Sequence, residues 1–578
     1  MFCTEKLKLY TGAKIVTLYD PMPIVEAVCV IGERIHAMGS LEDMERCAAL
    51  CGEYEKIDLG GGVLYPGFID THSHLSMYAD TFSQVYCGSR LGTVSRVLDG
   101  LREAAGNTPQ DRWIVGYAYD DTGIDEKRHL TREDLDAVST ERPILVKHLS
   151  VHFCYLNSLA IEKLGYTAET RVAGGTVCLG ADGRPNGILE ENASYQAIAK
   201  LPATSFDETR KNMLRAVRDY NAQGFTTFMD GGIGLSGSYK TDMAAYLSLA
   251  RDKALDARGY LQFMPPVLDA LEPYGLWGFP SEYLSFGGVK YFTDGSIQGY
   301  TGALLEDYHS RPGYRSELVC TPEELGNLVM HYHAAGIQIA VHTNGDAAIE
   351  ATLQAYERAQ RALPRPDLHH IFVHAQMASD GQLRRMKACH ALPTFFVRHI
   401  EVWGDGHYDT YLGPSRANRL DPAGSAVRIG LPFALHVDTP VLPVTALDSI
   451  HAAVNRISPS GRLMGADQRI SPREAIKAYT AYASLFCMGE HDRGRIEPGR
   501  LADFVLLSDD LEAIDIMTPR VDVEAVDKTS TVQEIADLFT ETGFSRLPVY
   551  EETIDSIVGI INEKDFHNLV LRDGNAVK

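Results

Sequence analysis

Residues 66–75 read PGFIDTHSHL. Pro66 and Gly67 punctuate the chain, an apolar run opens at Phe68 and Ile69, and the run ends in His72 and His74. Side chains alternate along an extended strand, so histidines two apart project from one face, as two ligands of one cation must. Alone, a His-x-His pair suits a capped turn equally well. Its company decides the reading. Strand-like apolar runs recur as VLYPGFID (63–70), FTTFMDGG (225–232), GVKYFTDG (288–295), QIAVHTNG (338–345), IFVHAQ (371–376), LPTFFVRH (392–399) and PFALHVDTP (432–440), with longer helical stretches between them. A near-continuous apolar run that ends in a polar group is what a strand covered on both faces looks like where its C-terminal end opens into a site. Four of these runs bring donors suited to the task of His72 and His74: Lys290, His342, His374 and Asp438. The pattern predicts an α/β chain whose centre is a parallel sheet with covering helices.

The flanks read differently. AKIVTLY, EAVCVIGERIHAMG and EKIDLGGGVLYPG, within residues 13–67, are short glycine-separated strands, and GRIEPGRLADFVLL (494–507) returns to the same pattern. Two lone ribbons are each marginal in water, so the flanks are expected to pair into one composite β-sandwich. The helix SPREAIKAYTAYASLFCMG carries Ser471 and Glu474 in capping-box spacing. From about residue 512 the text becomes a small α/β unit. The expected division is 1–62 for the N-terminal part of the sandwich, 63–487 for the barrel, 488–511 for a truncated C-terminal part of the sandwich, and 512–578 for the last unit.

With 54 Lys and Arg against 77 Asp and Glu in 578 residues, the net charge of −23 repels polyanions and argues against nucleic acid. The ten cysteines are scattered, as free thiols of a reducing compartment would be, and no apolar run approaches the roughly 20 residues of a membrane span. A cytoplasmic protein with no membrane contact is expected.

The residues at the strand ends resemble the amidohydrolase superfamily, and within it the YtcJ-like amidohydrolases related to N-substituted formamide deformylases. The resemblance covers most of residues 1–510 and extends to YTGAKIVTL, HFCYLNSLAI, GILEENA, the WGD of HIEVWGDGH, and GRIEPGRLADFVLL. It implies a (β/α)8 TIM barrel holding one or two Zn²⁺ ions, or another divalent metal, with His72, His74, Lys290 and Asp438 on one ion and Lys290, His342 and His374 on the other. Lys290 would be carboxylated, because an ammonium cannot bridge two cations whereas a carbamate can. The ions would share a hydroxide, lower the pKa of its parent water toward about 7, and polarise the scissile carbonyl. Asp438 is implied as general acid/base and His152 as an oxyanion partner. Glu191, His399, Trp403 and Asp405 are candidate walls of the substrate pocket. An ordinary ion pair between Lys290 and Asp294, or a one-metal site, is the alternative for the lysine. Two departures stand out: Val373 where the family often has Glu before the histidine, and His436 two residues before Asp438.

Residues 512–578 resemble one CBS motif, through MTPRVDVEAVD, GFSRLPVYEE and VGIINEKDF. Such motifs work in pairs that hold adenine nucleotides, so a single one implies a homodimer. Asn562, three before Asp565, replaces the usual Thr or Ser and weakens the nucleotide assignment. The expected activity is metal-dependent hydrolysis of a non-peptide C–N bond in a small amide, an N-substituted formamide first. The alternatives are another amide, a cyclic amide or a lactone, or a catalytically quiet ligand sensor working through the CBS-like unit.

Overall fold

The computed structural model describes residues 6–109, 112–149, 153–172, 174–202, 204–235, 239–274, 281–512, 525–542, 546–551, 553–562 and 566. The chain divides into two compact units, Met1–Leu511 and Glu512–Lys578.

The first unit is built on eight parallel strands in sequence order: β1 (Phe68–Ser73), β2 (Phe225–Ile233), β3 (Arg258–Phe263), β4 (Leu284–Phe292), β5 (Gln338–Thr343), β6 (Ile371–His374), β7 (Leu392–Phe395) and β8 (Ala434–Leu435). Strands β1, β3, β6 and β7 are buried at every residue, which is why β1, β6 and β7 lie in runs that read as largely apolar. The ends of β8 and β1 are stitched across the C-terminal rim: Asp438 N–H donates to His72 O at 3.2 Å and His74 N–H to Thr439 O at 2.8 Å. This is the expected TIM barrel, and the stitching brings the histidine pair to Asp438.

One strand escaped the sequence reading. β3 carries Arg258 and Gln262 among buried residues, and the Arg258 guanidinium is paired with Asp503 at 2.9 Å and Glu33 at 3.0 Å. A polar residue in a covered strand broke the apolar signal.

The flanks do form two four-stranded sheets. The first runs Arg34–Gly39, Ala27–Ile31, Leu7–Thr11, Tyr54–Asp58, and the second Phe504–Leu507, Val63–Pro66, Lys14–Val16, Ile24–Val25. Phe504–Leu507 pairs antiparallel with Val63–Pro66, so the C-terminal flank completes the N-terminal sheet. The expected boundary after residue 62 shifts to Gly67, because Val63–Pro66 belongs to the sandwich.

Residues 63–487 are not barrel throughout. Between β1 and β2 a six-stranded mixed sheet is inserted, in the order Gly175–Leu179, Pro185–Glu191, Phe153–Leu156, Ile144–His148, Ile114–Tyr119, Val85–Tyr86, with its own apolar clusters on its two faces. The phenol of Tyr411, in the segment after β7, is pushed up by burial, then by Tyr300, then by Asp120 and Asp121 of the inserted layer.

Ser471 caps the helix Pro472–Ala478 by accepting from Glu474 N–H, but the Glu474 carboxylate bonds Lys477 and Tyr482, so half the expected capping box forms. In the second unit, Val526–Asp527 pairs parallel with Arg546–Glu551, which pairs antiparallel with Thr553–Asn562, and the helix Val532–Thr542 places Ile535 and Phe539 against Val526 and Leu547. Among the described residues, no helix is long and apolar enough to cross a membrane.

Candidate metal centre

Four of the eight strands deliver donors to the same place. His72 lies in β1 and His74 just beyond it; Lys290 comes from β4, His374 ends β6, and Asp438 follows β8. His72 Nε2 and His74 Nε2 stand 3.5 and 3.4 Å from Asp438 Oδ1. Lys290 Nζ is 3.1 Å from His72 Nε2, and His374 Nε2 is 3.9 Å from Asp438 Oδ2. One ligand atom from each of His72, His374 and Asp438 lies within 4.8 Å of the other two.

These spacings suit a cation better than a hydrogen-bond network. Tetrahedral ligands with bonds of about 2.0–2.1 Å sit roughly 3.3 Å apart. Asp438 Oδ1 is buried between two imidazoles and has no hydrogen-bond partner, and a buried polar atom left so is costly unless something else occupies it. A divalent cation fits this donor set.

Burial has also set the protonation states. Lys290, fully buried, is pushed from 10.5 down to about 7 by desolvation, with Asp438 opposing. His72 and His374 fall well below 6.5, by burial first and then by neighbouring Lys290 and imidazoles. Burial would raise the Asp438 carboxyl, yet His74, His436 and Lys290 hold it at about 2. Neutral imidazoles and an ionised carboxylate are the ligating forms. His374 and Asp438 also have positive φ, 69° and 55°, a strain that non-glycine residues carry mostly at functional sites.

His342 is a partial exception. Its ring lies 4.5 Å from that of His374, but its Nε2 is 3.0 Å from Asn344 Nδ2 and 3.4 Å from Gly295 O. The alternative pairing of Lys290 with Asp294 does not form. Asp294 instead accepts backbone N–H groups from Ala303, Asn344 and Gly345 at 2.7–3.1 Å, clamping the loops behind His342.

His436 fills the place that Val373 leaves without a polar partner. Its Nε2 is 3.1 Å from His374 Nδ1 and its Nδ1 is 3.0 Å from Thr394 Oγ1. Thr394 Oγ1 is 2.7 Å from Thr71 Oγ1, which donates to Leu435 O at 3.3 Å. A carbonyl can only accept, so the polarity runs back along the chain: Thr394 donates to Thr71, His436 Nδ1–H to Thr394, and His374 Nδ1–H to His436 Nε2. That fixes the lone pair of His374 on Nε2, the atom facing Asp438. Thr71 and Thr394 were not legible as site residues, since nothing marks a threonine inside an apolar strand. Gly231, near the end of β2, was not legible either; a Cβ there would come within 2.5 Å of His72 Nδ1.

The candidate pocket residues separate. His399 is buried, its ring 6.0 Å from His374 and 5.9 Å from Trp403, with Nδ1 3.4 Å from Asp421. Asp405 is tied elsewhere: it accepts from Ser458 Oγ at 2.7 Å and from Ser460 N–H and Oγ at 2.8 and 2.6 Å. Glu191 ends a strand of the inserted sheet at φ 49°, bonded by Tyr195 at 3.3 Å. His152 lies outside the described residues.

The amidohydrolase family profile matches residues 55–531. The chain belongs to the amidohydrolase family. A CBS domain profile matches residues 513–572. This amidohydrolase is 29% identical over 514 residues to the Bacillus subtilis (strain 168) protein YtcJ, named as an amidohydrolase, covering 88% of this chain and 95% of that one. It is 27% identical over 510 residues to the N-substituted formamide deformylase of Arthrobacter pascens, covering 84% and 90%. Its fold matches an uncharacterized metal-dependent hydrolase of Pyrococcus horikoshii OT3 at TM-score 0.74 and 22% identity, over 88% of this chain and 98% of that one.

Proposed function

We propose that this amidohydrolase cleaves a non-peptide C–N bond in a small amide, with an N-substituted formamide as the first substrate class. The observation that carries it is Asp438 Oδ1, buried without a hydrogen-bond partner between His72 and His74 at 3.4–3.5 Å. Zn²⁺ held there, as one or two ions, supplies a Lewis acid and a water whose pKa is lowered toward about 7. His72, His74 and Asp438 would hold the first ion, and His374 with His342 the second, and Lys290, as a carbamate, would supply an anionic oxygen to each. Its amine, pushed down to about 7 by burial, is available in the neutral form that attacks CO₂ and loses a proton.

Asp438 moves the proton, taking it from the attacking water and passing it to the leaving nitrogen. His399 and Trp403 wall the pocket beside His374, Glu191 borders it from the inserted sheet, and His152 stabilises the developing oxyanion. Asp405 serves that wall indirectly, by fixing the segment that carries Trp403. We place the protein in the cytoplasm, as a homodimer paired through the CBS domain. The cleft of that domain is lined by Asp527, Glu534 and Asp537, a charge that opposes the phosphates of an adenine nucleotide.

Zinc-loaded protein incubated with N-substituted formamides should release formate and amine, and Lys290→Ala should lose both activity and one equivalent of zinc. Fewer than about half an equivalent of metal per chain in the wild type, or an unchanged count in Lys290→Ala, would overturn the two-metal reading.

A further inference from the structure

Soft donors gather at the surface of the N-terminal sandwich, outside the barrel. His36, Cys47 and Cys51 each place one ligand atom within 4.8 Å of the other two. The local fold builds this arrangement. Cys47 lies in the last turn of the helix Leu41–Leu50 and Cys51 caps it, with Cys51 N–H reaching the Cys47 carbonyl at 3.3 Å. Residues four apart on a helix share a face. His36 is the extra residue of a β-bulge: Val30 pairs with Ile35 and Cys29 with Ala37, and His36 has no partner in the ladder. A bulge re-aims a side chain. Here Ile35 points into the core between the sheets, Ala37 packs with the cluster under the helix, and His36 is turned to the two thiols.

Behind them sits Cys29, fully buried in the same cluster, its Sγ 3.6 Å from the Met44 carbonyl. The thiols of Cys29 and Cys51 are pushed up, by burial first and then by neighbouring Cys47. Three thiols thus share one small region, and Cys51 is exposed although cysteine is among the most buried residue types.

We propose that His36, Cys47 and Cys51 bind one zinc ion. Two sulfurs and one imidazole form a borderline-soft set that favours Zn²⁺ and rejects Mg²⁺ and Ca²⁺. Ligands at about 2.0–2.3 Å lie roughly 3.5–3.8 Å apart in a tetrahedron, so closing the set takes only rotation of short side chains. The ion ties the helix to the strand Arg34–Gly39, which makes the site structural and distinct from the barrel.

Cobalt discriminates between the two sites. The barrel donors are nitrogen and oxygen only, so a sulfur-to-cobalt charge-transfer absorption reports the sandwich alone. Full-length protein loaded with Co²⁺ should show that band, and His72→Ala should keep it. Cys47→Ser/Cys51→Ser should abolish it and lower the zinc content by one equivalent, with the barrel metal retained. His36→Gln, which leaves both thiols in place, should weaken zinc retention against a chelator by at least tenfold. No band in the wild type, a band that survives in the double cysteine variant, or equal zinc counts in the two proteins overturns the site.

Discussion

Gly231→Ala isolates the placement of His72. A Cβ at residue 231 would lie 2.5 Å from His72 Nδ1 and 2.6 Å from Cε1. Ordinary contacts begin near 3.4 Å, so the ring must retreat by about 1 Å. Gly231 has no positive φ, so alanine brings no backbone strain of its own and the cost falls on the imidazole. His72 is 1% exposed and has little room to yield. Overpacking of this kind costs about 1–3 kcal/mol of stability. A reacting group misplaced by about 1 Å loses on the order of 100-fold in rate. The expected variant folds, melts a few degrees lower, binds the first zinc more weakly and turns over about 100-fold more slowly. The assay pairs zinc titration against a chelating dye with steady-state hydrolysis. Gly106→Ala serves as control, because a Cβ there meets nothing within 4 Å. Wild-type zinc affinity and rate in Gly231→Ala would refute the placement of His72 as a ligand.

Further outcomes follow from the same geometry. His436→Leu removes the acceptor for His374 Nδ1–H and should weaken zinc binding about 10- to 100-fold, read by chelator competition; unchanged affinity would sink the assigned polarity. Lys290 titrates at about 7 when folded against 10.5 unfolded, so between those values the unfolded chain holds one more proton. Metal-free protein should therefore gain stability as pH rises from about 7 to about 10, a slope that denaturant melts should find missing in Lys290→Met. Reactivation of metal-free protein by zinc and bicarbonate should likewise rise through about pH 7, as neutral amine forms; a flat profile would count against carboxylation.

The barrel was legible where apolar runs were unbroken, and the structure brings His72, His74, Lys290, His374 and Asp438 from the ends of those runs to one place. What sequence could not supply was partnership across distance. Arg258 hid β3, because its counter-charges Glu33 and Asp503 are far away in the chain. Asp405 resembled a pocket residue until Ser458 and Ser460 were seen to hold it. The inserted sheet between β1 and β2 passed as barrel, since its short strands and helices alternate in the same rhythm. His436 was noticed as a neighbour of Asp438, but its role depends on Thr394 and Thr71, which strand pairing alone brings together.

The most direct test of a barrel metal centre is anomalous diffraction at the zinc edge from crystals of zinc-loaded protein. A peak between His72, His74 and Asp438, a second beside His374, and continuous density extending Lys290 Nζ into a carbamate between them are the expected result. Peaks elsewhere, or a bare Lys290 amine beside a metal-free Asp438, would contradict it.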